Sequence, residues 1–151
     1  MINRAVKRFR TGLIIGRLLS AYVLLGLLKH LVPVKWLVRW AWCSPAGPRD
    51  REAERQFTAC IIRLSQLIGR RDRDCLQRSL LLYRVLSGAG ADPTLVMGFH
   101  RTNDRILGHA WVVVDGQAVL EPEADLRRFS VTLQFGSQGT LLPTWPDLRT
   151  A

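Results

Sequence analysis

The sequence predicts an α+β fold, with helices first and a small antiparallel sheet after them. Three observations predict it. Apolar residues recur at steps of three and four from Ala53 to Ile68, and again from Leu76 to Leu86. Beyond Gly88 the period shortens to that of strands, over Thr94 to Phe99, His109 to Val114 and Phe129 to Phe135. Asp115-Gly116 supplies hairpin turn chemistry directly after the second of these.

The 151 residues are 48% apolar and 23% charged, which is enough to bury a single core and excludes wholesale disorder and coiled coil. Twenty-two Lys and Arg against 12 Asp and Glu give a net charge of +10. Such a field favours anionic partners, whether nucleic acid, a membrane surface or an acidic peptide, without choosing among them. Cys43, Cys60 and Cys75 cannot all pair within one chain and form no secreted disulfide framework. A reducing interior is therefore the expected compartment.

Taken in order, Gly12 to Leu28 is an almost continuous apolar run behind Arg4, Lys7, Arg8 and Arg10. Arg17 interrupts it, and no small-x-small cleavage pattern follows, which argues against a secretory signal. At about 17 residues it stands at the short end of a membrane span. The expectation is a helix covered by the core or a partner. Peripheral membrane contact through residues 1–42 is the alternative. Pro33 ends this helix, and Trp36, Leu37, Trp40 and Trp42 mark a second short apolar segment. Ser44-Pro-Ala-Gly-Pro48 is turn-rich and divides an apolar helical segment, 1–48, from a core over 49–151.

Asp50 to Ile68 reads as an amphipathic helix with Ala53, Phe57, Cys60, Ile61 and Leu64 on one face; Cys60 there is a small buried hydrophobe. Gly69 stops it, and residues 70–74 form a charged loop. A third helix runs from Cys75 to Gly88, with Asp72 or Asp74 as its N-cap. Strands follow, and Gln117 to Glu121 pairs back on His109 to Val114.

Cys75 opens a helix, where unpaired N–H groups and a partial positive charge stabilise a thiolate. The same N–H groups suit the oxyanion of a tetrahedral intermediate. His109 heads a strand and is a candidate base for that thiol. Turn geometry selects the group that would orient the imidazole. A three-residue loop Val114-Asp115-Gly116 sets His109 opposite Glu121. A two-residue loop Asp115-Gly116 sends Glu121 to the other face, because a one-residue slip flips every side chain. Glu123 and Asp125 are the fallbacks.

Cys75-Leu-Gln-Arg-Ser-Leu80, Gly90-Ala-Asp-Pro-Thr-Leu-Val-Met-Gly98 and Gly108-His-Ala-Trp-Val-Val-Val-Asp-Gly116 together resemble the lasso-peptide leader peptidases. These belong to the transglutaminase-like, papain-related cysteine proteases. The resemblance covers roughly residues 50–135, and the apolar N-terminal helices also look like those of stand-alone members. It implies a bacterial cytoplasmic enzyme that removes the leader from a ribosomally made lasso precursor. It also implies a separately encoded leader-recognition protein and an ATP-dependent lasso cyclase as partners, with neither cofactor nor metal. By resemblance Cys75 is the nucleophile and His109 the general base. The family's third residue is usually an aspartate about a dozen residues past the histidine, where this chain has Glu121. Arg78 and Ser79 match the family motif, and with Trp111 are candidates for substrate contact. Their default roles are helix packing and loop pinning.

Two other classes compete. The same triad could support acyl transfer to an amine, and a degenerate protease fold could serve as a basic, membrane-associated adaptor. Intact Cys75 and His109 argue against the adaptor. A metal site from Cys75, His100 and His109 lacks any short-spaced ligand pair. Nucleic-acid binding has only net charge behind it.

Overall fold

The computed structural model describes residues 16–45, 47–68 and 74–143. Residues 16–28 are helical (α1), followed by α2 (Val34–Ala41), α3 (Arg51–Ile68) and α4 (Cys75–Gly88). The strands are β1 (Thr94–Arg101), β2 (Ile106–Val114), β3 (Gln117–Val119), β4 (Ser130–Phe135) and β5 (Leu141–Leu142). A four-residue helix, α5 (Glu123–Leu126), separates β3 from β4. All strand pairs are antiparallel, in the order β3-β2-β1-β4-β5. The expected start of α1 at Gly12, the Gly69 stop and an Asp72 cap lie outside the described residues.

α4 is the central helix. Leu80, Leu81, Leu82 and Tyr83 are consecutive and all buried, so this turn meets protein on every side. It packs on α2 and α3 and against β1 and β2. Shortening any one of these leucines to alanine would cost about 2–5 kcal/mol. The sheet face towards α4 contributes Leu95, Val112 and Phe135, as the period of two requires. The opposite face carries a smaller cluster of Val96, Trp111, Leu126 and Phe129.

α1 buries Leu18, Tyr22 and Leu25 in the main cluster, and α2 buries Leu37, Val38 and Ala41 in it. Residues from both sides of Pro48 therefore share one core. Gln77 of α4 donates to the Tyr22 carbonyl, and Lys29 Nζ reaches Asp74 Oδ1 at 3.2 Å, so α1 is fastened to the start of α4. Asp74 occupies the N-cap position of α4 without capping it by its side chain. Its φ/ψ of −117°/17° is not the extended conformation from which a carboxylate reaches back to the first turn. Among the described residues, no helix is long and apolar enough to cross a membrane.

The β2–β3 hairpin decides the register. Val114 pairs with Gln117, Val113 with Ala118 and Val112 with Val119. The loop therefore has two residues, Asp115 (φ 52°) and Gly116 (φ 77°). Both sit in the left-handed region, as a type I′ turn demands. The three-residue loop that would set Glu121 opposite His109 is not formed. β3 also stops at Val119, short of the expected Glu121.

Candidate active site

Cys75 begins α4 and is half-buried. Its thiol meets the His109 side chain and the backbone N–H groups of Ala110 and Leu76. The helix is pinned one turn further on, where Ser79 Oγ donates to the Ala110 carbonyl at 2.8 Å. That bond ties the helix that carries Cys75 to the residue next to the imidazole. Burial pushes the Cys75 thiol up, but hydrogen bonds from His109 and Ala110 outweigh it, and its pKa falls below the ordinary 9.0.

His109 Nε2 is taken up by Glu121 Oε2, which leaves Nδ1 for the thiol. The ring lies near-parallel to Phe129 (centroids 5.0 Å apart, 25°) and Trp111 (5.9 Å, 22°). Its pKa rises from 6.5 to about 9, first through the hydrogen bond with Cys75 and then through that with Glu121; burial opposes both. Both shifts favour a thiolate–imidazolium pair. Opposite His109 on β1 stands Gly98. A Cβ there would come 2.8 Å from the Ser130 carbonyl and 3.1 Å from the Trp111 ring, so only glycine leaves room for the aromatic backing.

Glu121 reaches His109 by a route that strand counting does not contain. With Val112 opposite Val119, continued pairing would set Glu121 opposite Ala110, on the wrong face. Instead Leu120 adopts φ 76° and breaks the alternation, and the carboxylate swings to the imidazole. Arg78 Nη2 holds the other oxygen of Glu121 at 2.5 Å. The Arg78 and Glu121 side chains are only 13% and 16% exposed, so this ion pair is not a solvated surface contact. Burial pushes the Glu121 carboxyl up, while His109 and Arg78 pull it down and prevail.

Cys75, His109, Glu121 and Arg78 thus form one linked chain of polar groups. Beside them lies a cleft of about 350 Å³, bordered by Ile62 and Ser65 of α3 and by Arg78, Glu121, Leu126 and Phe129. Ser79 and Trp111, candidates for substrate contact, stand behind the site instead. Both are buried, Ser79 bonded to Ala110 and Trp111 stacked beneath His109. Glu123 and Asp125 are exposed on α5 and bond neither site residue. Cys60 is half-buried against the core, and Cys43 lies on the Gly88 side of α4. Among the described residues, no group of three His, Cys, Asp or Glu side chains could hold a metal ion.

Sequence reasoning missed the Arg78–Glu121 pair and the Phe129 stack. Arg78 stands out in the sequence, but its partner lies 43 residues away. No local signal announces Phe129, which reaches the site because α5 returns the chain across the sheet.

No curated protein and no solved structure matches the chain. The family model described as the Transglutaminase-like superfamily matches residues 20–134, from within α1 to within β4. That span includes the Cys75 helix, the His109 strand and the Leu120 bend, and the chain belongs to the Transglutaminase-like superfamily.

Proposed function

We propose that this chain is a cysteine peptidase that removes the leader from a ribosomally made lasso-peptide precursor, with Cys75 as nucleophile, His109 as base and Glu121 as orienter. The superfamily includes cysteine peptidases and acyl transferases. The observation that carries the catalytic part is the His109 ring bridging the Cys75 thiol and the Glu121 carboxylate. The leader specificity rests on the resemblance of the Cys75–Leu80 and Gly108–Gly116 segments.

The Cys75 thiolate attacks the carbonyl carbon at the leader–core junction, and the oxyanion faces N–H groups at the start of α4. Collapse breaks the C–N bond, and the His109 imidazolium gives its proton to the departing core amine. The leader then remains as a thioester on Cys75. His109 next takes a proton from water, whose attack releases the leader acid and the thiolate. Glu121 keeps one ring tautomer and stabilises the imidazolium, and Arg78 keeps Glu121 in place.

A separately encoded recognition protein would present the leader, and an ATP-dependent cyclase would receive the core. The test mixes this chain with the precursor and recognition protein of its gene neighbourhood and reads product masses. One internal cut with a gain of one water supports the reading. A leader carrying a new amine in place of water would establish acyl transfer, and an uncut precursor would overturn both.

A further inference from the structure

From the exposed apolar residues of α1 and α2 and the charge around them we infer that these helices dock this protein on an anionic membrane surface, lying in the interface and not spanning it. Leu19, Val23, Leu24 and Leu27 of α1 are exposed, Leu27 by 63%, and Leu31 after them by 80%. They lie opposite Leu18, Tyr22 and Leu25, which are buried in the core. On α2, Leu37, Val38 and Ala41 face inward while Lys35, Trp36, Arg39 and Trp40 face out, alternating cation with indole. Lys35 Nζ stands 6.0 Å from the Trp36 ring centre.

Charge chooses the occupant. Residues 1–49 hold nine of the 22 basic residues and none of the 12 acidic ones, so nine of the ten net charges belong to this part of the chain. A second copy would bring two such segments together, and like charge opposes that. A protein interface of standard size also carries about ten hydrogen bonds. Beyond Arg17 at its start, the exposed side of α1 carries one polar side chain, Ser20, whose Oγ donates to the Gly16 carbonyl at 2.9 Å. Acyl chains suit that scarcity of polar groups, and anionic headgroups suit the flanking Arg17, Lys35 and Arg39. The opposite side of α1 is committed to protein, so the helix can enter lipid by one face only.

The inference is independent of the leader-peptidase reading and can fail without it. The full chain is mixed with phosphatidylglycerol/phosphatidylcholine vesicles and with phosphatidylcholine vesicles, and co-sedimentation is measured at low and high salt. Partition into the anionic vesicles should be about tenfold stronger or more, and should fall with salt. Leu24→Glu/Leu27→Glu should weaken it by about tenfold or more while leaving circular dichroism and Cys75 alkylation unchanged. Leu24→Ser/Leu27→Ser gives the same comparison should the charged pair not fold. Brominated lipid should quench wild-type emission more than that of Trp36→Phe/Trp40→Phe. Absence of wild-type partition at low salt, or equal partition by the leucine variants, would overturn the inference. So would a solution dimer that the leucine variants dissolve, because that assigns the face to a second copy.

Discussion

Glu121 holds His109 although the ladder joining their strands would set them on opposite faces. Leu120, at φ 76°, makes the difference. The Glu121–His109 contact therefore depends on that bend as much as on the identity of residue 121.

Glu121→Gln keeps the shape of the side chain and removes its charge. Turnover should drop about 10–1000-fold, the range of other orienter losses. The His109 pKa should fall from about 9, since Glu121 is one of the groups that raise it. Glu123→Gln and Asp125→Asn, exposed on α5, should leave both quantities unchanged. Steady-state rates with an NMR titration of the imidazole check all three variants. An unchanged rate for Glu121→Gln would leave a working Cys75–His109 dyad.

Arg78→Met retains much of the side-chain volume and deletes the cation that pulls the Glu121 carboxyl down. The Glu121 pKa should then rise, as an NMR titration of its carboxyl reads, and the rate should fall several-fold. Arg78→Lys should recover part of the loss, because charge returns without the planar guanidinium. If Arg78 only packs the helix, the rate would fall with no change in the Glu121 titration.

The pH profile carries its own sign. The Cys75 pKa lies below its ordinary 9.0, so the thiolate forms earlier than in a free thiol, and the rate rises on that acid side. The His109 pKa is raised to about 9, so the imidazolium persists until then, and the rate falls as pH passes through about 9. Cys75→Ala removes the largest cause of the His109 shift. Its imidazole should titrate closer to 6.5, which NMR on the variant reads directly.

Ser79→Ala deletes the buried bond that pins α4 to β2 and strands the Ala110 carbonyl. Stability should fall by about 1–3 kcal/mol in denaturant titrations, the cost of an unsatisfied buried acceptor. A change below a few tenths of a kcal/mol would contradict the pin.

Periodicity made the helices legible. α4 spans Cys75–Gly88, the range its spacing and glycine stop imply, and α3 ends at Ile68 as its apolar face does. The Asp115-Gly116 turn was legible as chemistry, but not its loop length, on which the side of Glu121 depended. Glu121 meets His109 for a reason the counting lacked, because a leucine with positive φ has no sequence signature. α5 and β5, of four and two residues, are too short to carry a period. The Arg78–Glu121 pair is a long-range contact that exists only once the sheet has closed.

The most direct measurement is intact-mass analysis of acid-quenched turnover with precursor and recognition protein. Wild type should show a transient adduct of the leader minus one water, localised to Cys75 by fragmentation. Cys75→Ala should show neither adduct nor cleavage while still folding, and Cys60→Ala should retain both. Cleavage by Cys75→Ala at near wild-type rate would contradict the account.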